Sequence, residues 1–299
     1  MQGHFRIDAC YVRERYWDER ERSLVNRWRP PAALRWSAAA HAGAGAAWLA
    51  WPGLWPYWLG SLALNHAVLA TAGLLPRSTL LGPNTTPLPA AAAARAQVAL
   101  TFDDGPHPQH TPRVLDMLDA AGARASFFGI GTQVERHARL AREIIQRGHS
   151  IENHTDSHPV LFATYGPWRM AREVAQAQDR IAQVTGCAPR FFRAVAGLRN
   201  PFLDRVLHQQ GLQLVHWSRR GLDTNTPSAD KVLARLTRGL AAGDILLMHD
   251  GHSAATPSGP PVALVVLPQL LARLQAAGLH SVSLTTALPL PAVGASVSP

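Results

Sequence analysis

Three short segments of this 299-residue chain gather side chains that can hold a metal ion and move protons. The first is Thr101-Phe102-Asp103-Asp104-Gly105-Pro106. Its two carboxylates end an apolar run, and Gly-Pro then breaks it. Adjacent strand residues normally point to opposite faces, but a turn at this point lets both carboxylates reach one site. Two like charges so close are costly without a cation. The same residues are good turn chemistry anywhere, so alone this segment decides nothing. The second segment is Gly148-His149-Ser150-Ile151-Glu152-Asn153-His154-Thr155-Asp156-Ser157-His158-Pro159. On a helical turn His154 and His158, four apart, share a face, the spacing of a common zinc pair. A chance pair of this kind is unremarkable among 14 histidines. Its placement after a strand favours ligation, with Asp104 the natural third ligand. Two histidines and a carboxylate leave metal positions open for water and substrate. In the third segment, Ile245-Leu246-Leu247-Met248-His249-Asp250-Gly251, an apolar strand delivers His249 to its end. An imidazole there can act as a general acid, or simply cap the strand.

The elements that must position these groups follow from Arg95 onward. Strand candidates are 98–102, 125–129, 150–152, 190–194, 213–217, 244–248 and 281–284. Helices fall between them and end at glycine. The first has Thr111 as its expected N-cap and Pro112 at its first position. Another is expected over 168–185. Such alternation predicts a parallel sheet, open or closed into a barrel. Function in either form sits at the C-terminal ends of the strands, where all three segments lie.

Taken together, the three segments resemble the polysaccharide deacetylase family (the NodB homology domain, carbohydrate esterase family four). The resemblance covers 98–284 and implies a distorted (β/α) barrel of about seven parallel strands. It implies that Asp104, His154 and His158 bind one divalent metal, usually Zn2+, with Co2+, Mn2+ or Ni2+ as substitutes. Asp103 is then the general base and His249 the general acid. Arg193 is the arginine that holds Asp103, and Asp223 the carboxylate that orients His249. The Ala196 N–H would bind the oxyanion, and Leu247 and Trp217 would line a pocket for the acyl methyl group. The chain departs from the family pattern at Val195, usually proline, at Ala196, often aromatic, and at Thr224, where tryptophan is usual near Asp223. These departures touch the sugar-binding wall and leave the metal and acid–base set intact.

The reaction so implied is metal-dependent hydrolysis of the amide of an N-acylated sugar, giving a free amino sugar and a carboxylate such as acetate. The substrate classes are polysaccharide, oligosaccharide or lipid-linked saccharide. A non-catalytic carbohydrate-binding protein on the same scaffold would be favoured by loss of Asp103, His249 or a ligand, and all are present. Hydrolysis of a non-sugar amide is the other alternative.

Composition bounds the rest. Hydrophobic residues at 47% and charged residues at 16% predict a folded core. The net charge of +9 comes almost wholly from scattered arginine, Lys231 being the only lysine. With so much alanine this is the usage of a GC-rich bacterium. No nucleic-acid motif accompanies it, and no nucleic-acid partner is expected. Cys10 and Cys187 supply neither a disulfide framework nor a thiolate metal site.

Five regions are expected: a charged tail over 1–31, a membrane-associated helical segment over 32–75, a linker over 76–96, the catalytic domain over 97–287 and a tail over 288–299. Between 32 and 75 the only ionisable groups besides Tyr57 are Arg35, His41 and His66. The stretch 54–75 approaches the ~20 apolar residues needed to cross a bilayer, and 36–51 is apolar but rich in Ala and Gly. Trp48, Trp51, Trp55, Tyr57 and Trp58 crowd around Pro52-Gly53, as at the tip of a hairpin. The arginines at 27, 29 and 35 predict a cytoplasmic N-terminus in a bacterial cytoplasmic membrane. If only 54–75 crosses, the catalytic domain lies outside; if 36–51 crosses as well, the two-span hairpin, the favoured reading, returns it to the cytoplasm.

Overall fold

In a computed structural model, residues 28–288 are described. Most of the tail over 1–31 and nearly all of the tail over 288–299 lie outside them.

Short apolar runs after Arg95 become the strands of one sheet. They are β1 (Gln97–Asp103), β2 (Ala125–Gly129), β3 (Ser150–Asn153), β4 (Phe191–Phe192), β5 (Gln213–Leu214), β6 (Arg219–Arg220), β7 (Ile245–His249) and β8 (His280–Ser281). The order is β5-β4-β3-β2-β1-β7-β6, with β8 paired to the start of β1, and every named strand pair is parallel. The sheet curls into a half-barrel whose edges are β5 and β6, so the expected barrel is open. Across that opening runs the stretch expected to be a linker. Thr85 N–H donates to Leu214 O, His216 N–H donates to Thr85 O, and Leu88 N–H donates to Gly243 O.

The two-residue alternation of a strand sorts β1 cleanly. Val98, Leu100 and Phe102 join the core shared with the outer helices, while Ala99 packs in the inner cluster with Phe128, Phe191, Val215 and Ile245. Thr101 and Asp103 therefore sit on the inner face. In β7, Leu246 and Met248 join the outer core, which leaves Leu247 and His249 inward. Phe102 stacks on Phe127 at 5.2 Å. Burying side chains of this size contributes roughly 2–3 kcal/mol each. The scaffold beneath the site is thus made by the same strands that deliver its polar ends.

Several expectations are corrected in detail. The helix Thr111–Ala120 has no side-chain N-cap. The Thr111 hydroxyl instead accepts from His107 N–H and donates to the Asp250 carboxylate. The last strand is two residues long, and Leu284–Ala287 is helical. Strand β6 was not expected, because two arginines give no apolar signal. Cys187 is disulfide-bonded.

The N-terminal region is a helical hairpin, α1 (Ala32–Ala50) and α2 (Trp55–Leu74), joined by a 3-10 turn at Pro52–Leu54. Asn65 donates to the Ser37 hydroxyl at 2.8 Å, and the His41 and His66 Nε2 atoms meet at 3.1 Å. The base of the hairpin is covered: Leu69 and Ala72 pack with Leu81, Ala33 and Leu34. Further out, Leu49 is 87% and Tyr57 73% exposed, and Trp48, Trp51, Trp55, Leu59 and Leu64 are exposed with them. The expectation of membrane spans is corrected: among the described residues, no helix is long and apolar enough to cross a membrane. The reason is compositional. Arg35, Ser37, His41, Gly43 and Gly45 dilute α1, and Ser61, Asn65 and His66 dilute α2.

Candidate active site

Register brings the acid–base candidates together. Asp103 stands opposite His249 on β7 and Phe128 on β2, so the two functional side chains end adjacent strands at one level. Asp104 then turns the chain with a positive φ of 76°, which lets the neighbouring carboxylates address one site.

The residues expected to be ligands converge. Asp104 Oδ1 lies 3.3 Å from His154 Nε2 and 3.1 Å from His158 Nε2, and their donor atoms fall within 4.8 Å of one another. The histidines meet through an irregular turn rather than the helical one expected, with positive φ at Thr155 and His158. Asn153 Oδ1 accepts from Thr155 N–H, and Thr155 Oγ1 accepts from His158 N–H. His154 Nδ1 is 2.8 Å from the Arg193 carbonyl, which can only accept, so Nδ1 carries the proton. Nε2 is then the atom aimed at the Asp104 carboxylate oxygen. Such a contact needs a positive species between the two atoms, and a divalent cation supplies it. Two neutral imidazoles and one carboxylate therefore fit a catalytic metal. Burial works against the charge on Asp104, but hydrogen bonds from His154, His158 and His252 hold it well below the usual carboxylate range. Burial likewise works against protonation of His154, and the charges of Asp103 and Asp104 raise it on balance.

Arg193 is fully buried and salt-bridged to Asp103 Oδ1 at 2.7 Å. Its remaining donors reach Thr101 Oγ1, Val215 O and His216 O. Burial pulls its pKa down, and the Asp103 charge opposes that. His249 is fixed twice by Asp223: Nδ1 donates to Oδ1 and the backbone N–H to Oδ2, each at 2.8 Å. Burial alone would depress the imidazole, but the Asp223 bond and the charges of Asp223, Asp103 and Asp104 push it up to about 9. With Nδ1 donating to Asp223, Nε2 is left to carry a transferable proton.

The other expected residues are placed as follows. Ala196 is exposed, has a φ of 55° and gives its N–H to no group among the described residues. It lies three residues after Arg193, whose carbonyl holds His154. Trp217 is buried near the Arg193 guanidinium, 5.8 Å from it, and under Gly197. Leu247 is buried on the inner face between Thr101 and Arg220. Neither Leu247 nor Ala196 has a hydrogen bond to the ligand groups among the described residues.

Two further residues join the site. His252 Nδ1 is 3.0 Å from the other Asp104 oxygen. Its chain comes that close because Gly251 has no side chain: a Cβ there would lie 2.4 Å from the Asp104 carbonyl. Asp250 is buried beside Gly105, and burial pushes its carboxyl up to about 7. The sequence His249-Asp250-Gly251-His252 held a signal for both, but only the position of Asp104 turns it into a contact.

A parallel half-barrel thus carries paired acid–base candidates beside a two-histidine, one-carboxylate set at its strand ends. The polysaccharide deacetylase family model matches residues 91–215. A chitooligosaccharide deacetylase of Bradyrhizobium sp. (strain ANU 289) is 37% identical over 156 residues, which cover 52% of this chain and 71% of that protein. A peptidoglycan-N-acetylglucosamine deacetylase of Bacillus cereus is 31% identical over 175 residues, covering 58% and 81%. Among solved structures, the Bc1960 peptidoglycan N-acetylglucosamine deacetylase superposes with a TM-score of 0.61 at 28% identity, covering 68% of this chain and 91% of that one. The chain belongs to the polysaccharide deacetylase family.

Proposed function

We propose that this protein hydrolyses the N-acetyl amide of an N-acetylglucosamine-containing saccharide, in a reaction that depends on a divalent metal, with zinc the expected ion. The observation that carries the reading is the convergence of three pairs of groups at one end of the half-barrel: Asp104 with its histidines, Arg193 with Asp103, and Asp223 with His249. The names of the relatives supply the saccharide class.

A metal held by Asp104, His154 and His158 would polarise the amide carbonyl and acidify water. The chain's own groups do the rest. Asp103, oriented by Arg193, accepts a proton from the attacking water. The Ala196 N–H donates to the oxygen on which negative charge develops. His249 gives its Nε2 proton to the departing amine nitrogen, otherwise a poor leaving group. Asp223 keeps the ring in the orientation and protonation state for that transfer. Leu247 and Trp217 supply apolar surface for the acetyl methyl group.

The exposed hairpin supports a second part of the reading. Its uncovered tryptophans and leucines suit the surface of a lipid bilayer, with a cell-wall polymer or a lipid-linked saccharide presented there. Acetate release should be assayed on N-acetylglucosamine oligomers, peptidoglycan fragments and a lipid-linked saccharide. Release from none of them, with metal bound, would refute the reaction. Full-length protein that fails to float with anionic vesicles would remove the membrane from the account.

A further inference from the structure

We propose that the base of the hairpin and the segment behind it, residues 73–85, form a clamp that positions the Ala196 loop, with Arg199 as the positioning residue. The hairpin is then part of the catalytic unit and not only an attachment. The inference rests on the deacetylase reading, in which the Ala196 N–H serves the reaction.

The contacts run from the hairpin to the site without a break. Arg199 N–H donates to Gly73 O at 3.0 Å, which fixes the C-terminal end of the loop to the last turn of α2. The approach is so close that a Cβ on Gly73 would lie 2.2 Å from the Arg199 carbonyl oxygen. The Pro76 ring rests on Gly197, 3.1 Å from where a Cβ would stand, with Trp217 on the other contact. Arg199 itself is buried. Its guanidinium donates to the carbonyls of Ser78 and Gly82.

A second path starts from the same carbonyl. Asn84 donates to Pro76 O and Ser78 O, while its Oδ1 accepts from His216 Nδ1 at 2.8 Å. The His216 carbonyl accepts from Arg193, and Arg193 holds Asp103. Residues 73–85 thus support both the loop with the free N–H and the arginine behind the base. A backbone donor has no side chain to lock its direction, so its placement depends wholly on how its loop is held. Ala196 stands in the left-handed region, which alanine reaches only against steric cost, and the clamp is what holds it there.

The test compares two Gly→Ala substitutions in one helix of the full-length, metal-loaded protein. Gly73→Ala forces the loop away from α2. Gly60→Ala meets nothing within 4 Å and serves as the control. Gly73→Ala should lower kcat on the order of 10- to 100-fold. KM should stay within about threefold and metal content unchanged, because ligands and sugar contacts are untouched. Amide hydrogen exchange across 195–199 should quicken. Gly60→Ala should match wild type in all four readouts. If Gly73→Ala does not fold, Arg199→Lys gives the same readouts, keeping the charge but losing the forked donors. Wild-type kcat in the variant, or quicker exchange with kcat unchanged, overturns the proposal. Should wild type prove inactive on every saccharide, the functional reading fails by itself, and the exchange comparison still decides whether the clamp exists.

Discussion

Replacing Asp223 by asparagine isolates the group that tunes the general acid. An amide can accept from His249 Nδ1 or from His249 N–H, but not from both, and it brings no charge. The imidazole stands at about 9 against an ordinary 6.5, which corresponds to roughly 3 kcal/mol in favour of the protonated ring. Burial opposes that protonation, so without Asp223 the value returns to 6.5 or below. The general acid must be protonated, so activity is lost as pH rises through this pKa. The alkaline limb of Asp223→Asn should therefore begin about 2.5 pH units or more below that of wild type. Taking 6.5 for the variant, the protonated fraction at pH 8 falls from about 0.9 to about 0.03, a loss of roughly 30-fold, while at pH 5.5 it stays near 0.9. A bound dication lowers both curves alike, so the separation between them is the readout. The assay is kcat for acetate release from an N-acetylglucosamine oligomer across pH 5.5–9.5. A variant whose alkaline limb coincides with wild type, or whose loss is equal at every pH, would show that Asp223 does not tune His249.

Other outcomes follow from the same geometry. His252→Ala frees the second oxygen of Asp104 and should weaken metal affinity on the order of 10-fold by chelator competition; His252→Asn, which offers a donor near the same place, should recover part of it. Asp103→Asn should keep its metal and lose kcat by about 100-fold or more; near-normal turnover would remove Asp103 from the role of base. Glu152 is buried and pushed up to about 7, so the folded state loses stability as pH rises from its unfolded value near 4.5 through 7. Glu152→Gln, which still accepts from the N–H groups of Arg190 and Phe191, should raise stability at pH 8 by up to about 3 kcal/mol. It should give no gain at pH 4.5. Denaturant unfolding at the two pH values checks this.

The candidate site was legible because its residues sit at the ends of apolar strands, where sequence signals are strongest. Asp103 and Asp104 close β1, His249 closes β7, and His154 follows β3 directly. Arg193 and Asp223 came from resemblance alone, and the structure joins each to its expected partner. What escaped the sequence depends on contacts between distant segments. Thr111 looks like a helix cap until Asp250, 139 residues away, claims its hydroxyl. His252 is an ordinary loop histidine until Gly251 brings it to Asp104. The half-barrel's opening and the use of residues 85–88 to cross it have no local signature either. The hairpin was visible as two helices and a turn, but its alanine, glycine and polar content gives less hydropathy than a membrane span requires.

In the proposed reaction Asp104, His154 and His158 hold a metal on which hydrolysis depends. The most direct measurement strips the purified full-length protein with a chelator, then follows acetate release from an N-acetylglucosamine oligomer as Zn2+ is returned, with bound metal counted in parallel. Activity should vanish on stripping, return in proportion to about one bound ion per chain, and fail to return in His154→Ala. Undiminished turnover by the stripped protein, or binding of the ion by His154→Ala as tightly as by wild type, would contradict it.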